Sequence, residues 1–270
     1  MSNNSLNICV IGASGRMGLE VIRAVAADHE TELTGAIEKR GNEKIGLSAF
    51  ELAGCGHGGC VITSEIELAV LSSDVIVDFS GAEGTYENLK SYWSADKPLI
   101  VGSTGFSDAR LKRVIKLKKF IPLLIASNMS VGVNIMIKLA EFAATVLGSD
   151  FDAEVFEAHH RHKKDAPSGT AFTLAKTVAK ARGISEESFV FSRQGFTKER
   201  EANDIGFQVM RGGDIAGDHT LFFCGDGERL EITHRASSRH IFAKGALKAA
   251  KWLAGKPNGL YSMNDVLGLK

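Results

Sequence analysis

Neither sign of charge prevails in this chain. Lys+Arg and Asp+Glu both number 32, so no overall field favours nucleic acid or an anionic membrane, and any recruitment of anions must be local. Long apolar stretches are also missing: no run reaches the ~18 residues that a membrane span needs. The opening Met-Ser-Asn-Asn-Ser-Leu-Asn has neither the positive nor the apolar region of a secretory leader, so the expected compartment is the cytoplasm. Cysteines are few, four in all, too sparse for a disulfide scaffold and in keeping with a reducing compartment. Cys9 and Cys224 lie in apolar, strand-like segments and read as small buried hydrophobes. Cys55 and Cys60 flank a glycine-rich loop around His57, but a zinc site would need a second ligand pair at comparable spacing, and no metal is expected. No internal repeat or low-complexity segment stands out. What is left is an ordinary globular composition, 44% hydrophobic and 24% charged, in 270 residues, enough for one large or two modest domains.

The informative features are local. Leu6–Ile11 is a short apolar run that enters Gly12-Ala13-Ser14-Gly15-Arg16-Met17-Gly18, and a helical period follows with Met17, Val21, Ile22 and Val25 on one face. Strand, glycine turn, helix is the setting of a dinucleotide fingerprint, in which glycines let the backbone approach a pyrophosphate at a helix start. The spacing is G-x-x-G-x-x-G rather than G-x-G-x-x-G, and an ordinary tight turn would read the same way. The next strand, Thr31–Ile37, supports the cofactor reading because it ends at Glu38, where a carboxylate can hold a ribose diol.

The alternation continues along the chain. Residues 75–79 read as a buried strand and 83–93 as a helix; 98–101 form a strand entering Gly102-Ser103-Thr104-Gly105; 107–118 are amphipathic; 121–126 form a strand ending at Ser127-Asn128-Met129-Ser130. Continuous apolar strands between helices predict an α/β fold with a Rossmann-type doubly wound parallel sheet. Ligands of such sheets bind beyond the carboxyl ends of the strands. The style then changes: helix 133–147, strand 152–158, helix 170–181, then 206–210, 219–224 and 229–234, which alternate in period two as antiparallel strands do. A last helix spans 239–253. The expected organisation is a dinucleotide-binding domain over 1–130, an inserted α+β substrate and oligomerisation domain over 131–238, and a C-terminal helix over 239–270 returning to the first domain.

Residues 157–171 read E-A-H-H-R-H-K-K-D-A-P-S-G-T-A. Cations run into a Pro-Ser-Gly-Thr turn and then an apolar periodic segment, the pattern of a strand end meeting a helix N-terminus. A helix N-terminus offers backbone N–H groups and a positive dipole end to anions, and imidazoles move protons near neutral pH. The combination suits a small, multiply negative substrate that must gain or lose a proton, although a basic surface turn would have the same composition.

With both motifs placed, nearly the whole chain resembles the 4-hydroxy-tetrahydrodipicolinate reductase family. The resemblance rests on residues 12–18, V-G-S-T-G-F at 101–106, S-V-G-V-N at 130–134, the 157–171 stretch, and L-E-I-T-H-R-A-S-S at 230–238. It implies NADH- or NADPH-dependent reduction of a cyclic imine dicarboxylate to tetrahydrodipicolinate, on the route to diaminopimelate and lysine, by a homotetramer assembled through sheets of the second domain. It places the acid/base histidine at His159 and the proton-donating, anion-binding lysine at Lys163, with substrate contacts at His160, Gly169 and Thr170. Cofactor contacts fall on Gly12, Ala13, Ser14, Gly15, Arg16 and Met17, on Glu38 and Lys39, on Gly102, Ser103 and Thr104, and on Ala126, Ser127, Asn128 and Met129. Lys39 stands where many relatives have an arginine for the NADPH 2′-phosphate. His162 reads as structural or exposed, Arg161 and Lys164 take no role, and His234 and Arg235 read equally as cleft residues or as a structural pair.

Overall fold

The computed structural model describes residues 5–269, so residues 1–4, on which part of the leader reading rests, lie outside the described residues. The first stretch of chain runs β1 (Leu6–Ile11), α1 (Arg16–Ala26), β2 (Thr31–Ile37), α2 (Ala49–Ala53), β3 (Ile62–Thr63), α3 (Ile66–Leu71), β4 (Val75–Asp78), α4 (Gly81–Glu87), α5 (Leu89–Ala95), β5 (Leu99–Val101), α6 (Asp108–Ile115) and β6 (Pro122–Ile125). The middle stretch runs α7 (Val131–Leu147), β7 (Asp152–His159), α8 (Gly169–Arg182), β8 (Phe189–Val190), β9 (Ile205–Arg211), β10 (Gly217–Gly225) and β11 (Glu228–Ala236). The chain ends in α9 (His240–Leu253), β12 (Gly259–Tyr261) and α10 (Met263–Leu267). Two compact units result: the described residues up to Val131 together with those from Arg239 onward, and Gly132–Ser238.

In the first unit the sheet order is β12-β6-β5-β4-β1-β2-β3, and the pairs are parallel. Apart from β12, this is the doubly wound order, which reverses between β1 and β4 and leaves a crevice at their carboxyl ends. Period-two geometry sends Ile8 and Val10 to one face and Cys9 and Ile11 to the other. The first pair packs with α1 and α9, the second with α3, α5 and α6. All four residues are at most 1% exposed, and burying each aliphatic side chain is worth about 1.5–3 kcal/mol. That is why β1 is apolar on both faces.

In the second unit the order is β11-β10-β7-β9-β8. One face, with Val155, Phe207, Leu221 and Phe223, packs on α7 and α8 through Met136, Ala140, Leu174 and Val178. β10 is antiparallel to β7 and β11, but β9 runs parallel to β7, which corrects the antiparallel reading of residues 206–210. The chain leaves β7 through α8, and a helical crossover returns it to the same end of the sheet.

Two other expectations need correction. The helix expected at 83–93 begins at Gly81 and divides at Asn88, whose backbone leaves helical dihedrals at φ −87° and ψ 3°; α5 then buries Tyr92. Short elements such as β3, α3 and β12 had no legible period. Finally, residues 131–150 are, by length and composition, apolar enough to cross a membrane, because Lys138 and Glu141 interrupt the run without lowering its mean hydropathy enough. One side of α7 is nonetheless a core face, with Val133, Met136, Ala140, Ala143 and Ala144 buried.

Candidate active site

The glycine turn at the end of β1 is shaped for a ligand. Gly12 takes φ 78°, and a Cβ there would fall 2.9 Å from the Phe79 and Ser80 backbone, so a side chain is excluded by conformation and by space. The helix it enters, α1, has Gly15 as its N-cap, no side-chain cap and no acidic residue in its first turn, whereas Ser107 and Ser168 cap α6 and α8. A long helix whose start is left without such a cap suits a pyrophosphate. Beside it, Ser14 Oγ donates to Glu38 Oε2 at 2.5 Å and Asn42 Nδ2 donates to Ser14 Oγ at 3.3 Å. The Glu38 carboxylate is thereby held at the rim of a 390 Å³ cavity that Gly12, Lys39, Arg40 and Ser80 also line. Across the turn, Asp78 accepts from Ser80 N at 2.7 Å, Ser80 Oγ at 2.6 Å and Tyr92 Oη at 2.8 Å, and burial pushes its carboxyl pKa up. Ser103 Oγ accepts from Gly81 N and Thr85 Oγ1, both at 2.9 Å. These features fit a nicotinamide dinucleotide: Glu38 for a ribose diol, the turn and α1 for the pyrophosphate.

The second unit holds the candidate proton-handling groups. Residues i and i+2 of a strand share a face, so Glu157 and His159 of β7 point the same way. The register adds Arg211 of β9 beside His159 and His219 of β10 opposite Glu157. Glu157 is fully buried and takes four hydrogen bonds: from His159 Nδ1 at 2.5 Å, from the Arg211 guanidinium at 2.8 and 2.7 Å, and from Ser168 N at 3.0 Å. Burial alone would raise its pKa, but the bonds from His159 and Arg211 outweigh it and bring the carboxyl to about 2. Ser168 turns from Glu157 to the start of α8: its Oγ accepts from Ala171 N at 3.3 Å and meets His219 Nε2 at 3.0 Å. His219 lies edge-on to His159, ring centroids 5.2 Å apart, and burial, with the charge of His159 behind it, lowers its pKa to about 4.

The cationic run is pinned at both ends. Arg161 N donates to Gly213 O at 3.2 Å, and Lys163 Nζ donates to both Asp165 oxygens at 2.9 and 2.8 Å. Arg211 reaches Asp165 O at 2.6 Å. The first turn of α8 leaves Gly169 exposed, with nothing within 4 Å of where a Cβ would stand. A cationic lysine and an accessible helix start therefore share the end of the sheet that holds His159, an arrangement able to bind carboxylates and pass a proton. Among the described residues no three His, Cys, Asp or Glu gather to hold a metal.

Family comparison decides between this and other two-domain reductases. The model of dihydrodipicolinate reductase, N-terminus, matches residues 6–129, and that of dihydrodipicolinate reductase, C-terminus, matches 132–267. The chain belongs to the dihydrodipicolinate reductase family. It is 47% identical over 267 residues to the 4-hydroxy-tetrahydrodipicolinate reductase of Thiobacillus denitrificans, covering 98% of this chain and 100% of that protein. It is 48% identical over 270 residues to the protein of the same name from Nitrosospira multiformis, covering 99% of each. A dipicolinate-bound dihydrodipicolinate reductase from Paenisporosarcina sp. TG-14 has a TM-score of 0.74 at 22% identity, over 96% of this chain and 97% of that one. A myo-inositol dehydrogenase from Corynebacterium glutamicum has a TM-score of 0.57 at 17% identity, over 98% and 93%. At such identities these likenesses show the fold alone.

Within the dihydrodipicolinate reductase fold, the residues singled out from the sequence are not all placed alike. Gly12, Glu38 and Lys39 line one cavity, and Ser14 is bonded to Glu38 at its rim. Ala13, Ser103 and Met129 are at most 6% exposed, so a cofactor would meet their backbone rather than their side chains. His160 and His162 lie with ring centroids 6.2 Å apart. Strand register separates His234 from Arg235: His234 pairs with His219, and Arg235 with Asp218. Four residues were missed as participants, Glu157, Ser168, Arg211 and His219. The spacing of Glu157 from His159 on one strand was the available signal; Arg211 and His219 reach the site only through the register.

Proposed function

We propose that the chain reduces 4-hydroxy-tetrahydrodipicolinate to tetrahydrodipicolinate with NADH or NADPH, in the cytoplasm, with His159 and Lys163 as its proton-handling pair. The observation that carries this reading is the buried Glu157–His159 pair at the sheet end that also bears Lys163 and the start of α8. The substrate is a small ring with two carboxylates. Lys163 supplies a charge for one of them by exchanging its Asp165 partner, and Gly169 and Thr170 supply the N-terminal end of a helix for the other, with His160 beside the ring. When bound, the nicotinamide supplies the hydride. Loss of the 4-hydroxyl as water leaves the unsaturated ring that takes this hydride, and His159 then gives the proton that the reduced ring takes up, since an imidazole matches that task near neutral pH. Gly12, Ala13, Ser14, Gly15, Arg16 and Met17 approach the pyrophosphate, Glu38 and Lys39 the adenosine ribose, and residues 102–104 and 126–129 the remainder of the cofactor. All four cysteines are free thiols, as a reducing compartment keeps them.

The test follows loss of reduced-nicotinamide absorbance with the freshly made condensation product of pyruvate and aspartate semialdehyde. Wild type should turn over with both cofactors, and dipicolinate should compete with substrate. His159→Gln should lower kcat by ~10²-fold or more with cofactor affinity kept. Near-normal turnover in His159→Gln would move the proton donor elsewhere.

The proposed assembly is a homotetramer. The sheet face turned away from α7 and α8 carries Phe156 and Phe222, half-buried, and Met210, 44% exposed. Aromatic and thioether side chains on a sheet face without a covering helix suit packing against a second copy.

A further inference from the structure

Building on the assignment of the proton to His159, we propose that Glu157, clamped by Arg211, is the positioning residue that keeps the His159 proton on Nδ1 and leaves Nε2 as the atom that exchanges a proton with substrate. An ionised carboxylate only accepts hydrogen bonds. The 2.5 Å contact between Glu157 Oε2 and His159 Nδ1 therefore fixes the N–H on Nδ1. The other ring nitrogen is then the one that gains and loses the proton.

Three further observations agree with that division of labour. First, every polar group around Glu157 is a donor. Oε2 takes Arg211 Nη1 and His159 Nδ1, while Oε1 takes Arg211 Nη2 and Ser168 N. The forked guanidinium holds the carboxylate plane and offsets the charge of a carboxylate that itself has no solvent contact. Second, the space at Nε2 is kept open by a glycine. A Cβ on Gly217 would stand 3.1 Å from His159 Nε2, and the residue takes φ 154°, which L side chains rarely adopt. Third, the same carboxylate holds Ser168, the N-cap of α8, so one buried anion orients both the imidazole and the helix start that faces substrate. The charged and titratable groups around His159 are Glu157 on its own strand, Arg211 on β9, His219 on β10 with His234 beside it on β11, and Lys163 with Asp165 on the following turn.

Glu157→Gln tests the proposal sharply because its amide NH2 would replace one carboxylate oxygen and face two of the four donors. The expected result is a kcat loss of ~10²-fold or more with unchanged cofactor affinity, and, by nitrogen NMR of the folded variant, a His159 proton no longer confined to Nδ1. Glu157→Asp should recover part of the turnover. Nitrogen NMR of histidine-labelled wild type, above the pH at which the imidazole titrates, should show His159 protonated on Nδ1 and bare on Nε2. That measurement needs no variant, so a Glu157→Gln protein that failed to fold would leave it decisive. A wild-type proton on Nε2, or a folded Glu157→Gln with normal kcat, overturns the proposal. Normal turnover in His159→Gln, by contrast, would overturn the assignment of the proton to His159 while leaving the tautomer result in place.

Discussion

The proposed contacts put cofactor choice on two adjacent side chains at the end of β2. Ser14 and Asn42 hold the Glu38 carboxylate at the cavity rim, where it can accept from a ribose diol but repels a 2′-phosphate. Lys39 follows immediately and is exposed. Its ammonium is a mobile point charge without the planar fork of an arginine, so it offsets that repulsion without reading the phosphate geometrically. Both cofactors should therefore work, with kcat/KM values within about tenfold, a gap of ~1.4 kcal/mol. Lys39→Ala should weaken NADPH and spare NADH, and Glu38→Ala should do the reverse; steady-state kinetics with each cofactor will tell. Equal losses for both in Lys39→Ala would mean that Lys39 does not see the 2′ position. At this scale the sequence carried the residues that chemistry makes conspicuous: glycines in a turn, a strand-end carboxylate, a run of histidines. It did not carry their supports. Arg211 and His219 are ordinary residues in ordinary contexts, and only tertiary contact gives Glu157 a guanidinium or Ser168 an imidazole.

Elements bring the silent partners together. His219 sits on β10, 4% exposed, beneath the start of α8 and beside the Ser168 cap. Burial and then the His159 charge hold its pKa at about 4 against an ordinary 6.5. A depressed folded-state pKa on a base means that the unfolded chain binds a proton the native state refuses. The stability that His219 contributes is full above 6.5 and is lost as pH falls towards 4, in total roughly 3 kcal/mol. Denaturant midpoints across that window should fall in wild type and fall less steeply in His219→Gln, whose amide still reaches Ser168. Parallel slopes for the two proteins would show that His219 is not held neutral. Long periodic segments such as α1, β1, α7 and α9 were legible because their apolar pattern repeats over several turns or both faces of a sheet. The direction of β9 was not, because period two is the same in parallel and antiparallel strands; the deciding fact is the α8 crossover before it.

At the scale of the whole molecule, the charge balance and the apolar surfaces point to self-association. The outer strand β11 offers unpaired backbone, but Glu228, Arg229, Glu231 and Arg235 stud it, a charged edge of the kind that discourages strand-to-strand addition. The face behind it is different. Phe222, half-buried, has Arg229 against it, whose guanidinium carbon lies 5.8 Å from the ring centroid, and that arginine is itself paired with Glu231. Phe156 lies on the same face one strand away. Face-to-face packing of this sheet with its copies buries aromatic area, whereas edge pairing would bury charge. Helix α7 adds a second apolar stripe, with Ile135, Leu139, Phe142 and Val146 between 42% and 70% exposed, but its lysine and glutamate at 138 and 141 already pair with each other. The proposed tetramer thus depends on the sheet face. Phe222→Glu places a carboxylate at its centre while leaving β10 pairing intact, so sedimentation should give a tetramer for wild type and a smaller, still folded species for the variant. A Phe222→Glu protein that sediments as wild type would move the contact to α7, and a wild type that is monomeric at every concentration would remove it from both.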